Sequence, residues 1–331
     1  ARLAWLREVW AEEDVAEALK HASPVLASQV NALCASSAPV ARDIRRAVAS
    51  VARYVLRAEH RPTPFGLFAG VAPVAMGPGT RAAWGSDHTV VGRASAEWLA
   101  AVVERLESCP ELMERLLVVV NNTTATRDDR LIVPYKSDSQ GNGRRAVEVS
   151  VALTGPVRAV LDAARTPIPA GALAEKLAAE FPTAGPEKAQ RLIRELVQHE
   201  VLITNLRAPS TETDALRYLL DQLDSVGADS VAPVADTIRD LRAVQRDLAG
   251  CRSRSGRARA ATRMRAMVPG LRRHPVALDL RLGAQVELPE AVARGIERAA
   301  DVLTRVSAHP YGTAAWKAYQ RRFYERYGIG T

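Results

Sequence analysis

Cysteine is scarce in this chain: Cys34, Cys109 and Cys251 are the only three in 331 residues, and they lie far apart. An odd number so dispersed builds neither a disulfide framework nor a zinc site, so a reducing cytoplasm is the expected setting. The sequence contains no Cys/His cluster, no Gly-x-Gly-x-x-Gly and no Walker motif. Metal, dinucleotide and P-loop chemistry are therefore disfavoured, and no cofactor is expected. No apolar run approaches the length of a bilayer span, and no signal peptide opens the chain. Lysine is nearly missing: of 45 basic residues only Lys20, Lys136, Lys176, Lys188 and Lys317 are not arginine.

What is present belongs to an ordinary globular chain, with 47% hydrophobic and 25% charged residues and enough length for a sizeable core. The net charge of +8 and pI near 9.7 point towards anionic partners, nucleic acid among them. Arginine and alanine are both abundant, as a GC-rich coding sequence would make them. That source of charge weakens the argument from pI to nucleic acid.

The most informative stretch is Arg57–Gly70, which reads RAEHRPTPFGLFAG. Ile44, Val48, Val51 and Val55 recur at spacings of four, three and four, so a helix over Ala41–Leu56 runs into it. Arg57 and Arg61 are four apart and fall on one face of its final turn. Pro62 and Pro64 push Arg61 and Thr63 out of the α region, so the chain leaves the helix extended. Phe65 and Phe68 are apolar enough to anchor the exit, and Gly66 and Gly70 permit close backbone approach. Two guanidiniums and a hydroxyl held this way suit a carboxylate or a phosphate. From spacing alone, a helix end whose arginines answer the dipole and pair with Glu59 is favoured over such a site.

The string Arg-x-x-x-Arg-Pro-Thr-Pro-Phe-Gly-Leu-Phe-Ala-Gly resembles the signature segment of class I lantibiotic dehydratases, in their N-terminal glutamylating part. The resemblance implies catalytic positions at Arg57, Arg61 and Thr63. The arginines would hold the glutamate carboxylate or the 3′-terminal phosphates of a tRNA, and Thr63 would position a reactant. His60 is left out of the site as a structural histidine. In that family an Arg-x-Asp-x-x-Trp-like setting follows. Here Arg93 and Trp98 fit, but Ser95 stands where an aspartate is common, so that role is vacant or falls to a neighbour such as Glu97. The departure points to a divergent branch, such as a split enzyme or a thiopeptide enzyme. The resemblance also implies that this chain is a fragment of a longer enzyme whose elimination domain lies elsewhere.

The expected fold class is α+β: a mostly helical, multi-subdomain chain with small antiparallel sheets and an embedded winged helix. Residues 1–116 form a helical and strand subdomain that carries the Arg57–Gly70 segment. Within it, Ser23-Pro24 starts a helix, Phe68–Met76 and Thr89–Arg93 read as strands, and Ser95 caps a helix over Ala96–Glu107. Residues 117–207 form the winged-helix module. Leu117–Asn122 and Arg130–Tyr135 are expected to pair through a hairpin at Thr123–Asp129, with a loop over Ser137–Gly143 and a third strand at Ala146–Val151. Three helices follow, near Thr154–Ala164, Ala170–Glu180 and Pro186–Glu200, and Val201–Leu206 returns as a wing. The resemblance makes this module a leader-peptide reader, with a peptide strand added beside Val147 and Val149 near Arg191 and Arg194.

Residues 208–331 read as a helical subdomain with a basic loop over 251–273. Its Arg257, Arg259, Arg263, Arg272 and Arg273 are candidate contacts for a tRNA backbone, and a solvated loop is the equal alternative. Trp316, Tyr319, Phe323 and Tyr327 make an aromatic stripe expected to pack in a core or against another domain.

The function implied by the resemblance is tRNA-dependent glutamylation of Ser and Thr side chains in a ribosomal precursor peptide. That is the first half of dehydration in lanthipeptide or thiopeptide biosynthesis. The implied partners are the precursor with its leader, glutamyl-tRNA as co-substrate, and an elimination domain or partner chain, with a homodimer also in view. Two alternatives stand beside it: a non-catalytic winged-helix module that binds leader peptides, and a nucleic-acid-binding regulator.

Overall fold

The computed structural model describes residues 1–137, 146–271, 273–309 and 311–328. They divide into two units, one of 1–69 with 90–280 and the other of 70–89 with 281–331.

The first unit opens with four helices, α1 (Arg2–Ala11), α2 (Glu13–Ala22), α3 (Pro24–Ala35) and α4 (Ala41–His60). Glu12 is extended between α1 and α2 (φ −70°, ψ 104°). The break lets Leu6 and Leu19 enter one small core with Val30, Leu33, Ala47 and Val51. Each fully buried aliphatic there contributes about 1.5–3 kcal/mol of apolar transfer. Ser23-Pro24 starts α3 as the sequence predicts, with Pro24 at the tolerated first turn. Helix α4 runs one turn further than periodicity suggests, so Arg57 lies inside it and Arg61 is its C-cap.

The next two strands, β1 (Val74–Gly77) and β2 (Arg81–Trp84), belong to the second unit. The first unit resumes with β3 (Thr89–Ala94), α5 (Ala96–Glu107) and the short α6 (Pro110–Met113). The Ser95 hydroxyl accepts the Trp98 N–H at 3.4 Å and so caps α5, as its position predicts. The strands β4 (Leu117–Val120), β5 (Ala125–Arg127), β6 (Arg130–Ser137) and β7 (Ala146–Ala152) follow. The expected hairpin does not form between β4 and β6. Instead β5 pairs with β6 around a two-residue turn in which Asp128 takes φ 55°, a conformation aspartate tolerates. Asn121 redirects the chain before it, its side-chain oxygen accepting from the Thr123 N–H and hydroxyl at 3.0 and 2.8 Å. The loop read over Ser137–Gly143 lies almost wholly outside the described residues.

Helix α7 (Gly155–Ala163), strand β8 (Ile168–Pro169), helices α8 (Ala170–Glu180) and α9 (Pro186–Gln198), and strand β9 (Leu202–Thr204) come next. Thr154 occupies the α7 cap position without a side-chain cap bond. Strand β4 pairs with β8 and β9, while β5, β6 and β7 form a separate antiparallel sheet. The return strand pairs antiparallel with β4. On α9, Ala189, Ile193, Leu196 and Val197 are all buried, as the apolar stripe predicts.

Helices α10 (Ala215–Ser225), α11 (Ala232–Ala249) and α12 (Arg254–Met267) and strand β10 (Val276–Arg281) complete this part, and β10 pairs with β3. The sequence reads a loop over 251–273, but fourteen of those residues are helical. Ser253 caps α12 through the Gly256 N–H, and Ala260, Ala261 and Met264 give it a buried face despite its charge. One core joins Trp98 and Leu106 to Leu196, Leu219, Leu241, Met264 and Val276.

The second unit adds β11 (Ala284–Pro289), α13 (Glu290–Val306) and α14 (Ala314–Tyr327). Strand β11 lies between β1, to which it is parallel, and β2, to which it is antiparallel. Neither α13 nor α14 has a buried residue. The aromatic stripe of α14 stacks on itself, Trp316 on Tyr319 at 5.4 Å and Phe323 on Tyr327 at 4.9 Å, rather than entering a core of the described chain. No helix of the described residues is long and apolar enough to cross a membrane.

Candidate functional site

A groove of about 900 Å³ runs between the start of α3 and the last two turns of α4. Arg53, Arg57 and Arg61 line it, one per turn. The 3.6-residue period puts side chains four apart on one face, so these three make a row. Arg61 leaves the helix extended (φ −117°, ψ 116°), as the following proline requires. The chain then turns back: the Phe65 N–H donates to the Ala69 carbonyl and the Phe68 N–H to the Phe65 carbonyl, both at 2.9 Å. Gly66 sits at φ 51° inside this turn, a conformation that would strain a side chain.

The turn builds an aromatic floor. Tyr54, Phe65 and Phe68 pack with centroids 5.5–6.2 Å apart, and Phe68 also packs against the four-helix core. The Arg57 guanidinium lies over the Phe65 ring at 4.3 Å from its centroid. Such a contact is worth about 0.5–1 kcal/mol and fixes the plane of the fork. Its Nε is buried and has no hydrogen-bond partner. Glu59, which spacing assigns to these arginines, lies 3.6 Å from His60 instead. Among the described residues none of Arg53, Arg57 and Arg61 forms an ion pair. Three guanidiniums on one wall, with no carboxylate paired to them among the described residues, have the chemistry to hold an anion.

Of the residues predicted from sequence, the structure brings Arg57 and Arg61 together in the groove. Thr63 is exposed and lies two residues past Arg61, off the groove lining. Arg53 was missed, although it continues the same four-residue spacing backwards, and His60 also lines the groove. At the Arg-x-Ser segment the guanidinium of Arg93 donates to Asp279 Oδ2, with Nε at 2.8 Å. Asp279 is 186 residues away on β10, and only strand pairing reveals it.

The basic run behaves differently. The Arg257 guanidinium is buried, bonded through Nε to Glu17 at 2.6 Å and through its NH1 to the carbonyls of Cys251 and Arg252. Arg263 donates to Asp247 at 2.8 Å, and Arg259 shares that carboxylate at 3.5 Å. Arg273 is exposed, and Arg272 lies outside the described residues. In the module read as a leader-peptide reader, β7 is an end strand of its sheet. Val147 is in register with Lys136 and Val149 with Val133. Arg191 is exposed on α9, and Arg194 is half-buried beside Gln190 and Glu114.

Residues 11–331 match the family model described as lantibiotic dehydratase, N terminus. The subtilin biosynthesis protein SpaB of Bacillus subtilis is 27% identical over 178 residues, 53% of this chain and 16% of SpaB. The crystal structure of the tRNA-dependent lantibiotic dehydratase MibB from Microbispora sp. 107891 superposes with a TM-score of 0.78 at 31% identity, over 98% of this chain and 32% of MibB. The glutamylation domain of TbtB from thiomuracin biosynthesis shares the fold, with a TM-score of 0.52 at 21% identity over 92% of this chain and 37% of TbtB. The chain therefore spans between 16% and 37% of these relatives, and it belongs to the lantibiotic dehydratase family, in the N-terminal part.

Proposed function

We propose that this chain transfers glutamate from glutamyl-tRNA to Ser and Thr hydroxyls of a ribosomally made precursor peptide, preparing them for elimination elsewhere. The observation that carries the reading is the unanswered row of Arg53, Arg57 and Arg61 along one groove wall. The names of two relatives support it, MibB as a tRNA-dependent dehydratase and TbtB as the holder of a glutamylation domain.

The reaction is acyl transfer between two esters. The peptide hydroxyl oxygen attacks the glutamyl ester carbonyl, a new C–O bond forms, and the C–O bond to the tRNA ribose breaks. The hydroxyl proton leaves with that ribose oxygen, so no metal or redox partner is required. Arg57, held rigid over Phe65, suits a planar carboxylate or phosphate approached edge-on, and its buried Nε gains a partner when the anion arrives. Arg61 and Arg53 supply further donors along the same wall, and they also screen charge developing on the carbonyl oxygen. Thr63, exposed two residues past Arg61, positions a reactant rather than lining the groove. The end strand β7 is the place where an extended leader would add to the sheet through main-chain bonds.

The test is the intact mass of a precursor peptide incubated with the full-length enzyme and glutamyl-tRNA. The expected result is a ladder of single glutamyl additions, suppressed by Arg61→Ala with leader binding unchanged. Undiminished additions in that variant would remove the arginine row from the site.

A further inference from the structure

A second cavity, of about 580 Å³, lies on the other face of α3 and shares no lining residue with the arginine groove. Trp10 of α1, Lys20 and His21 of α2, Arg265 of α12 and His274 before β10 enclose it. The His21 and His274 rings lie 4.0 Å apart, and the buried Nδ1 of His21 has no hydrogen-bond partner. Glu17 is the one carboxylate on the lining, and both its oxygens are taken, Oε1 by Arg257 and Oε2 by Arg254. Arg254 also reaches Glu13 and Asp14, so those two arginines are fully committed. Lys20 and Arg265 face the same space and form no ion pair among the described residues. The Lys20 ammonium stands 5.8 Å from the centroid of the Trp10 ring.

We propose that this cavity binds the phosphate group of a nucleotide, with Lys20 and Arg265 as its charge partners and Trp10 as the wall for its base. Two uncommitted cations and an open imidazole suit a doubly charged tetrahedral anion. The space lies within the roughly 300–1,000 Å³ of ordinary small-molecule sites, far more than one inorganic anion fills. An aromatic ring beside the cations accounts for the remainder, because base stacking on such a ring is sequence-tolerant.

The site also carries a proton linkage. His21 is held down to about 3, first by burial and then by His274, Arg257, Arg265 and Lys20, and His274 is held down to about 4, by burial and Arg265. A dianion placed among these groups offsets the positive surroundings and raises both values, so binding tightens as pH falls towards them.

Calorimetric titration of the full-length protein with 5′-AMP tests the site without reference to glutamyl transfer, so a failed reading at Arg57 leaves it intact. Saturable binding is expected, weakened roughly 10- to 100-fold in a Lys20→Ala/Arg265→Ala double variant. Neither replaced side chain holds an ion pair, so the double variant keeps its fold, which circular dichroism checks. Sulfate stays doubly charged over the working range, so any pH dependence of its binding belongs to the protein. It is expected to bind more weakly than AMP and to tighten from pH 7 to pH 5. Absence of saturable AMP binding, or binding that the double variant leaves intact, overturns the site. AMP no tighter than sulfate overturns its assignment to a nucleotide.

Discussion

Helices α4 and α12 are both rich in arginine, and they use it in opposite ways. On α12, Arg254, Arg257, Arg259 and Arg263 are met by Glu13, Asp14, Glu17 and Asp247, carboxylates brought from α2 and α11. On α4, Arg53, Arg57 and Arg61 meet no carboxylate, and an aromatic ring steadies the middle one. Equal residue types at equal helical spacing thus become a structural tie in one place and a ligand wall in the other. The difference lies in what the opposite element contributes. Helix α2 brings three acids within reach of α12, whereas the start of α3 brings Ser23, Val25, Leu26 and Gln29 to α4.

Removing a partner from the tie is the largest way to break the contrast. Glu17→Ala leaves the Arg257 guanidinium buried and without its carboxylate, so stability falls by about 3–5 kcal/mol, read from urea denaturation. Arg57→Ala on the other helix should cost less than about 1 kcal/mol in the same experiment, since it breaks no ion pair. Equal losses in the two variants would erase the distinction between tie and wall.

Next in size is the effect on activity. Arg61→Ala removes a charge-assisted contact worth about 1.5–3 kcal/mol, so glutamyl transfer from charged tRNA should drop roughly 10- to 100-fold. Arg263→Ala, which leaves the half-buried Asp247 with Arg259 as its remaining partner, should leave the transfer rate within about twofold. A comparable fall in both would make α12 part of the tRNA path after all.

Much of this was legible in the sequence where one short segment carries the information. In the Arg57–Gly70 string the prolines announce an extended exit and the phenylalanines an apolar anchor, whereas the turn at Gly66 and the Phe65 ring under Arg57 appear only in the fold. Helix α5 follows from its Ser95 cap, and α9 from a clean apolar stripe. The misread pairings are non-local. Strand β4 is too short to announce that its partners are β8 and β9, some 50 and 85 residues on, so a neighbouring hairpin looked better. Arg257 looks like any other arginine of a basic run until Glu17, 240 residues away, is folded against it. Asp279 opposite Arg93 is invisible for the same reason. Arg53 was within reach of the spacing and was passed over because the family resemblance begins at Arg57.

The smaller expected effects concern pH and the floor of the groove. Both His21 and His274 have folded values near 3 and 4, below the ordinary histidine value, so the unfolded chain binds protons first on acidification. Stability is therefore highest above the unfolded value near 6.5 and is lost as pH falls towards 4, by about 1–2 kcal/mol per histidine between pH 7 and pH 5. A His21→Gln/His274→Gln variant should flatten that slope in urea melts at the two pH values, and an unchanged slope would mean the pair does not titrate in this window. Last comes Phe65→Leu. It keeps apolar bulk under Arg57 but removes the ring face, a loss of about 0.5–1 kcal/mol in how firmly the fork is held. Rigid placement serves the reacting geometry more than the resting affinity, so the decrease of about two- to fivefold should appear in kcat while KM for charged tRNA holds. A change confined to KM would make Phe65 part of the binding surface instead of the support beneath Arg57.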